Sequence, residues 1–195
     1  MKSVVLKLFI FTITLFFTKS IVAQSENFEL TEENSELINQ YVVINKDSMS
    51  VSDGYNKVLE WINITYNTPD EVIKSQLKDK YIRIEGVDKS ITTQNVIGTM
   101  FSYMGKYSLT FQFKENKIKM ELTRLQVYNE PSQYSAGGWV DASPIYSLNF
   151  KKSGKLKKQY SKYQQGYVDS MNYLKLSLND YAYNSSKSIV DEEDW

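Results

Sequence analysis

Ser75 and Lys78 stand three residues apart. This is the spacing at which a lysine, one helical turn away, takes the proton from a serine in the S-x-x-K acyl-enzymes. That chemistry needs both side chains on one helix face. Here Val72-Ile73 reads as the start of a strand and Lys78-Asp79 as a polar turn, so alternate residues point to opposite faces, and no K-T-G or S-D-N element accompanies the pair. The match is read as coincidence. Carboxylates give no better start: Asp169, Asp180 and the acids of the C-terminal tail form no pair beside an apolar pocket that would raise one of them, so glycosidase chemistry is unsupported. With no cysteine and no histidine in 195 residues, thiol nucleophiles, imidazole acids and bases, the Ser-His-Asp triad and the usual zinc sites are excluded. No catalytic residue, cofactor or metal ligand is assigned. A hydrolase relying on carboxylate or lysine chemistry is the alternative to a binding protein.

Two groupings suit binding better than catalysis. Tyr128, Tyr134, Trp139 and Tyr146 surround Gly137-Gly138, and aromatic anchors on a loop are what recognition surfaces use. Of these, Tyr134, Trp139 and Tyr146 are the candidate contacts for a ligand or partner. The competing reading is that they cover an open sheet edge. Lys151, Lys152, Lys155, Lys157, Lys158 and Lys162 form the one strong single-sign cluster. It suits an anionic lipid headgroup, an envelope polysaccharide or phosphate, or else only keeps a helix entrance soluble.

The N-terminus gives an address. Met1-Lys2 is a basic start, Val4 to Phe17 is apolar but for Lys7 and a few hydroxyl residues, and Ala23 supplies a small residue for cleavage. The unbroken run from Leu8 to Phe17 is ten residues, against the roughly 20 that span a bilayer as helix. Residues 1–23 are therefore expected to be a signal peptide, leaving a protein that is periplasmic or secreted, with no transmembrane segment. No cysteine follows the cleavage point, so no lipid anchor is expected. Removing Lys2, Lys7 and Lys19 takes the basic residues from 23 to 20 against 23 acids. That balance argues against a nucleic-acid partner, which asks for a positive footprint. Stability without disulfides must come from packing.

The elements that would position these groups follow from periodicity. Residues 24–36, rich in Glu, read as an acidic flexible lead-in, residues 37–184 as a single domain, and residues 185–195 as an acidic tail. Tyr41 to Ile44 suits a first strand. Ser52 and Asp53 read as N-cap residues for a helix carrying Tyr55, Val58, Leu59 and Ile62, with Trp61 beside them and Pro69 beyond its end. Val72 and Ile73 open a second strand, and Tyr81 to Glu85 alternates as a third. Val96, Ile97, Met100 and Phe101 extend the sheet or pack beside it. The hairpin from Lys106 to Tyr128 is the clearest element. Leu109, Phe111 and Phe113 oppose Leu122, Met120 and Ile118 across a turn at Glu115-Asn116, and the phase shift after Leu122 predicts a bulge near Thr123 or Arg124. Residues 129–153 read as loop, with Tyr146 to Phe150 as a short edge strand. A final helix carries an apolar stripe of Tyr160, Tyr163, Tyr167, Met171, Leu174, Leu178 and Tyr181, weakened locally by Gly166 by about 1 kcal/mol.

This sequence resembles a known family. Ser52, Tyr55, Trp61, Asp70-Glu71-Val72-Ile73, Gln76-Leu77-Lys78-Asp79-Lys80-Tyr81-Ile82 and Tyr107-Ser108-Leu109-Thr110 carry the likeness. The family is a domain of unknown function found mainly in exported proteins of Bacteroidetes, with a fold like that of the TATA-box-binding protein. The resemblance spans roughly residues 40–128 and implies a curved antiparallel sheet with helices behind it. It carries over no functional residue. The expected fold class is thus α+β, an antiparallel sheet in the order β-α-β-β-β-β-α with helices on one face. The expected function is that of a non-enzymatic binding or structural module of the cell envelope, engaging an envelope protein or an extended ligand.

Overall fold

The computed structural model describes residues 26–30, 37, 39–142, 151, 153 and 157–184. In chain order these form strand β1 (Tyr41–Asn45), helix α1 (Val51–Thr65), the single turn α2 (Pro69–Val72), strands β2 (Ile73–Leu77), β3 (Tyr81–Val96), β4 (Thr99–Lys114), β5 (Lys117–Asn129) and β6 (Gly138–Asp141), and helix α3 (Lys158–Asn184). The expected order lacked α2 and β6. The strands make one antiparallel sheet, β1-β5-β4-β3-β2. β6 also joins β5: β1 takes Lys117 to Glu121 and β6 takes Gln126 to Asn129 along the same edge.

Alternation decides the central hairpin as the sequence required. Phe113 pairs with Ile118, Phe111 with Met120 and Leu109 with Leu122, and the register then slips so that Ser108 meets Arg124, leaving Thr123 as the bulge. Asn116 takes the positive φ of 63° that such a turn demands. Ile82, Ile84, Leu109, Phe111, Ile118 and Met120 then form one buried face. Against it α1 sets Tyr55, Val58, Trp61 and Ile62, and α3 sets Tyr167, Val168, Met171 and Leu178. Trp61 is the wedge where the three layers meet. Its ring stands edge-on to Phe111 and Tyr66, and its indole N–H donates to Ser177 Oγ at 3.0 Å.

Several local expectations need correction. The cap of α1 is Ser50, not Ser52 or Asp53: Asp53 N–H donates to Ser50 Oγ while Ser50 N–H donates back to Asp53 Oδ2, both at 3.1 Å, a capping box with Asp53 at its third position. Val72 ends the proline-initiated turn α2, so β2 starts at Ile73. Within the lead-in, Phe28 is buried, because Asn172 of α3 grips its backbone: Phe28 N–H donates to Asn172 Oδ1 at 2.8 Å and Asn172 Nδ2 donates to Phe28 O at 3.0 Å. The strand found after Gly137 is Gly138–Asp141. The expected strand from Tyr146 to Phe150, the signal peptide, Tyr160's side chain and the acidic tail fall outside the described residues.

Residues 87–102, hard to place by pattern, belong to the outer half of the β3–β4 ribbon. Asp88 pairs with Gly105 and Thr92 with Tyr103, so residues 89–91 face the single Met104 across the ladder. This bulge swings Ile91 over the bare Cα of Gly105, where a Cβ would collide with it. It also brings the Thr92 hydroxyl to donate to the Tyr163 carbonyl and to lie against Gly166. Gly166 is therefore a site of close approach rather than a mere weakness in the helix.

Two outcomes follow. Gly166→Ala, which would stabilise an exposed helix by about 1 kcal/mol, is expected to cost a net 1–3 kcal/mol or so by overpacking against Thr92. Urea unfolding measures it, and a stabilised variant would contradict the packing described. The second concerns the buried Tyr66 and Tyr107 hydroxyls, 3.0 Å apart. Burial holds both above the ordinary tyrosine value of 10.0. The folded state thus prefers the neutral forms, so their contribution is complete below about pH 10 and falls as pH rises beyond it, by of order 1 kcal/mol per pH unit. Urea midpoints at about pH 8 and about pH 11 should show this loss, and a Tyr66→Phe/Tyr107→Phe variant should show a shallower one.

Candidate binding face

Because side chains alternate across a strand, the residues between the core positions make a second face. It carries Arg83 and Glu85 of β3, Lys106, Thr110 and Gln112 of β4, Lys119 and Glu121 of β5, and Tyr41 of β1. The helices α1 and α3 pack on the opposite side. Antiparallel sheets tolerate this arrangement, since one face can meet water.

Two aromatic and cationic groupings are built into this face. At one end Trp139 of β6 pairs with Tyr128 of β5, their rings 5.3 Å apart and edge to face. Lys106 Nζ sits 4.6 Å from the centre of the indole. Arg124 donates to Asp141 at 3.0 Å beside them. At the other end Lys119 Nζ lies 4.4 Å from the centre of the Tyr41 ring and 2.8 Å from Glu121 Oε2. A hollow of about 420 Å³ opens here, lined by Tyr41, Val43, Gln112, Lys114, Lys117 and Lys119. The sequence singled out Trp139 and Tyr128 but not Lys106, Tyr41 or Lys119. Only the register of β1 and β6 on β5 brings these together.

The candidate aromatics separate. Tyr134 is 90% exposed in the tight turn between Ser132 and Ser135, whose backbones bond reciprocally. Trp139 is half-buried and engaged by Tyr128 and Lys106, so it serves the sheet as well as any ligand. Tyr146 lies outside the described residues. Ser75 is half-buried on β2 while Lys78 is exposed in the following turn. An extended chain separates such residues by roughly 10 Å, too far for proton transfer.

One pocket of about 340 Å³ lies on the helix side, where β1 and β6 leave β5 unpaired. Leu122 N–H reaches Gln40 O and Ala142 N–H reaches Leu125 O at its two margins. Its described lining is Leu30, Leu37, Leu122, Leu125, Ala142, Val168 and Met171, with the polar groups of Gln40, Gln164 and Tyr167. Tyr167 is 8% exposed and its hydroxyl has no hydrogen-bond partner among the described residues. Burial first, and the neighbouring Tyr163 second, raise its pKa. The lining offers no carboxylate and no amine, and the described residues hold no group of three or more acids that could ligate a metal.

The two loop aromatics should differ in stability. Trp139→Ala removes a ring pair and a cation–π contact and is expected to cost about 1–2 kcal/mol, whereas Tyr134→Ala should fall within about 0.5 kcal/mol of the parent. Thermal unfolding of both variants decides; equal effects would mean Trp139 is no more engaged than Tyr134.

Comparisons with known proteins agree with this geometry. No curated protein matches the sequence. A crystal structure of a DUF4468 family protein from Bacteroides ovatus superposes with a TM-score of 0.57 at 13% identity, covering 78% of this chain and 92% of that one. A TBP-like protein from Parabacteroides distasonis superposes with a TM-score of 0.54 at 13% identity, covering 74% and 91%. At such identity these likenesses establish the fold. Residues 41–128 match the family described as a domain of unknown function (DUF4468) with TBP-like fold, and the chain belongs to that family through this domain.

Proposed function

We propose that the chain is an exported, non-enzymatic module of the cell envelope that presents the helix-free face of its sheet to an extended ligand or to another envelope protein. One observation carries this reading: half-buried rings of Tyr128 and Trp139, and the Tyr41 ring at the other end, each lie under or beside a lysine on a face that α1 and α3 do not cover. Aromatic groups with a polar or cationic neighbour are what binding surfaces concentrate. Export is supported by the basic start, short apolar run and Ala23 of residues 1–23. No described helix is long and apolar enough to cross a membrane.

The alternative, a hydrolase using carboxylate or lysine chemistry, would be favoured by a pocket with converging acids and amines. The pocket beside Tyr167 has neither among its described lining. Nucleic acid is not proposed as a ligand, because a fold shared with a DNA-binding protein is no warrant for its function.

Sequencing the N-terminus of the protein recovered from its producing cells tests export, and Gln24 is the expected first residue; a protein still beginning at Met1 would refute it. For binding, comparative pull-downs from the envelope fraction should yield a partner with the parent chain. That partner should be lost with Thr110→Asp/Gln112→Glu on the open face and kept with Leu176→Ser on the exposed side of α3. The same partner on all three proteins would remove the sheet face from consideration.

A further inference from the structure

We propose that the outer end of the β3–β4 ribbon, together with the start of α3, is a peripheral contact site for an anionic phospholipid surface. This site is separate from the open sheet face and does not depend on it. The ribbon turns at Ile97-Gly98 with φ of 50° and 82°. Turns with two positive φ values favour Asn-Gly, and a β-branched residue in the left-handed region is strained by about 1 kcal/mol or more. Ile97 nevertheless occupies it, fully exposed. Met100 and Phe101 follow it at 61% and 47% exposure. Because they are successive residues of β4, they stand on opposite sides of the ribbon. The tip thus holds three apolar side chains in water.

Its charge surroundings are one-sided. Residues 90–105 contain no charged side chain, and residues 157–168 contain Lys157, Lys158 and Lys162 and no acid. Packing puts these two stretches together. Ser170 Oγ donates to Ile91 O at 3.0 Å, Thr92 Oγ1 donates to Tyr163 O, and the rings of Tyr103 and Tyr163 lie 5.1 Å apart. Helix α3 therefore runs antiparallel to β3, with its lysine-bearing start directed toward the tip. Lys158 lies about 8 Å beyond Tyr163 along the helix, and Ile97 lies about 16 Å beyond Thr92 along the strand. The exposed lysines stand back from the apolar tip by several ångströms.

That offset suits a bilayer. Apolar groups of peripheral proteins enter about 5–10 Å into the headgroup and acyl boundary, and cations behind them then meet lipid phosphates at the surface. A second copy of the chain fits less well, since tips meeting head-on would bring two lysine clusters together.

Co-sedimentation tests the site, using the chain from Gln24, which keeps every residue of the described fold. The vesicles are equal parts phosphatidylglycerol and phosphatidylcholine, or phosphatidylcholine alone. The chain should pellet with the anionic vesicles only, and less so as salt rises. Ile97→Asn, which supplies the residue the turn prefers, should keep or raise the melting temperature while weakening binding about tenfold or more. The triple substitution Lys157→Gln/Lys158→Gln/Lys162→Gln should weaken it by roughly fivefold for each lysine removed. Equal pelleting with both lipids, pelleting with neither, or full binding by Ile97→Asn would overturn the proposal. Self-association abolished by Ile97→Asn without vesicle binding would overturn it too.

Discussion

The docking of α3 depends on one irregularity, the bulge at residues 89–91. A regular ladder would keep Ile91 and Thr92 in alternation with their partners and hold the helix at ordinary distance. The extra residues turn Ile91 over Gly105 and press Thr92 against Gly166. A long helix can then lie against a sheet that is already twisted, with two glycines providing the space. From that contact outward the helix reaches Trp61 through Ser177 and the N-terminal segment through Asn172. Local disorder in the ladder thus yields order in the third layer.

Legibility in the sequence followed the strength of local pattern. The central hairpin was read to the residue pair because six apolar side chains alternate with polar ones around a short turn, and the missing beat after Leu122 marked the Thr123 bulge. The bulge at residues 89–91 left no such mark. Ser90, Ile91, Thr92 and Thr93 are small or β-branched and uncharged, so a change of phase there moves no charge into the core. The cap of α1 was misread because Ser50 and Ser52 both precede Asp53, and only the three-residue spacing from Ser50 closes a capping box. Phe28 looked like one ring in an acidic segment, since its partner Asn172 lies 144 residues away. Strand β6 depends on the free edge of β5, which is a property of the sheet.

The binding residues show the same division. Side-chain type marked Tyr134 and Trp139, but depth could not be read from type. One stands in water, while the other is wedged between a tyrosine and a lysine. Tyr41 and Lys119 are 78 positions apart in the chain and meet because β1 pairs with β5. A hollow made by non-adjacent strands has no spacing motif. A chain without His or Cys therefore gives little notice of where it binds, since aromatic and lysine residues serve equally as structure and as contacts.

The division of one edge of β5 between β1 and β6 has a consequence for the protein's behaviour in a crowded compartment. An unpaired 13-residue strand would be a template on which other chains could add, the first step of fibrillar assembly. Two short strands occupy most of that template from opposite ends, and the far edge of the sheet is the five-residue β2. Neither leaves a long straight edge for recruitment. A chain cut within the turn before β6 would keep most of its core and lose this protection, so proteolysis there would set solubility against stability.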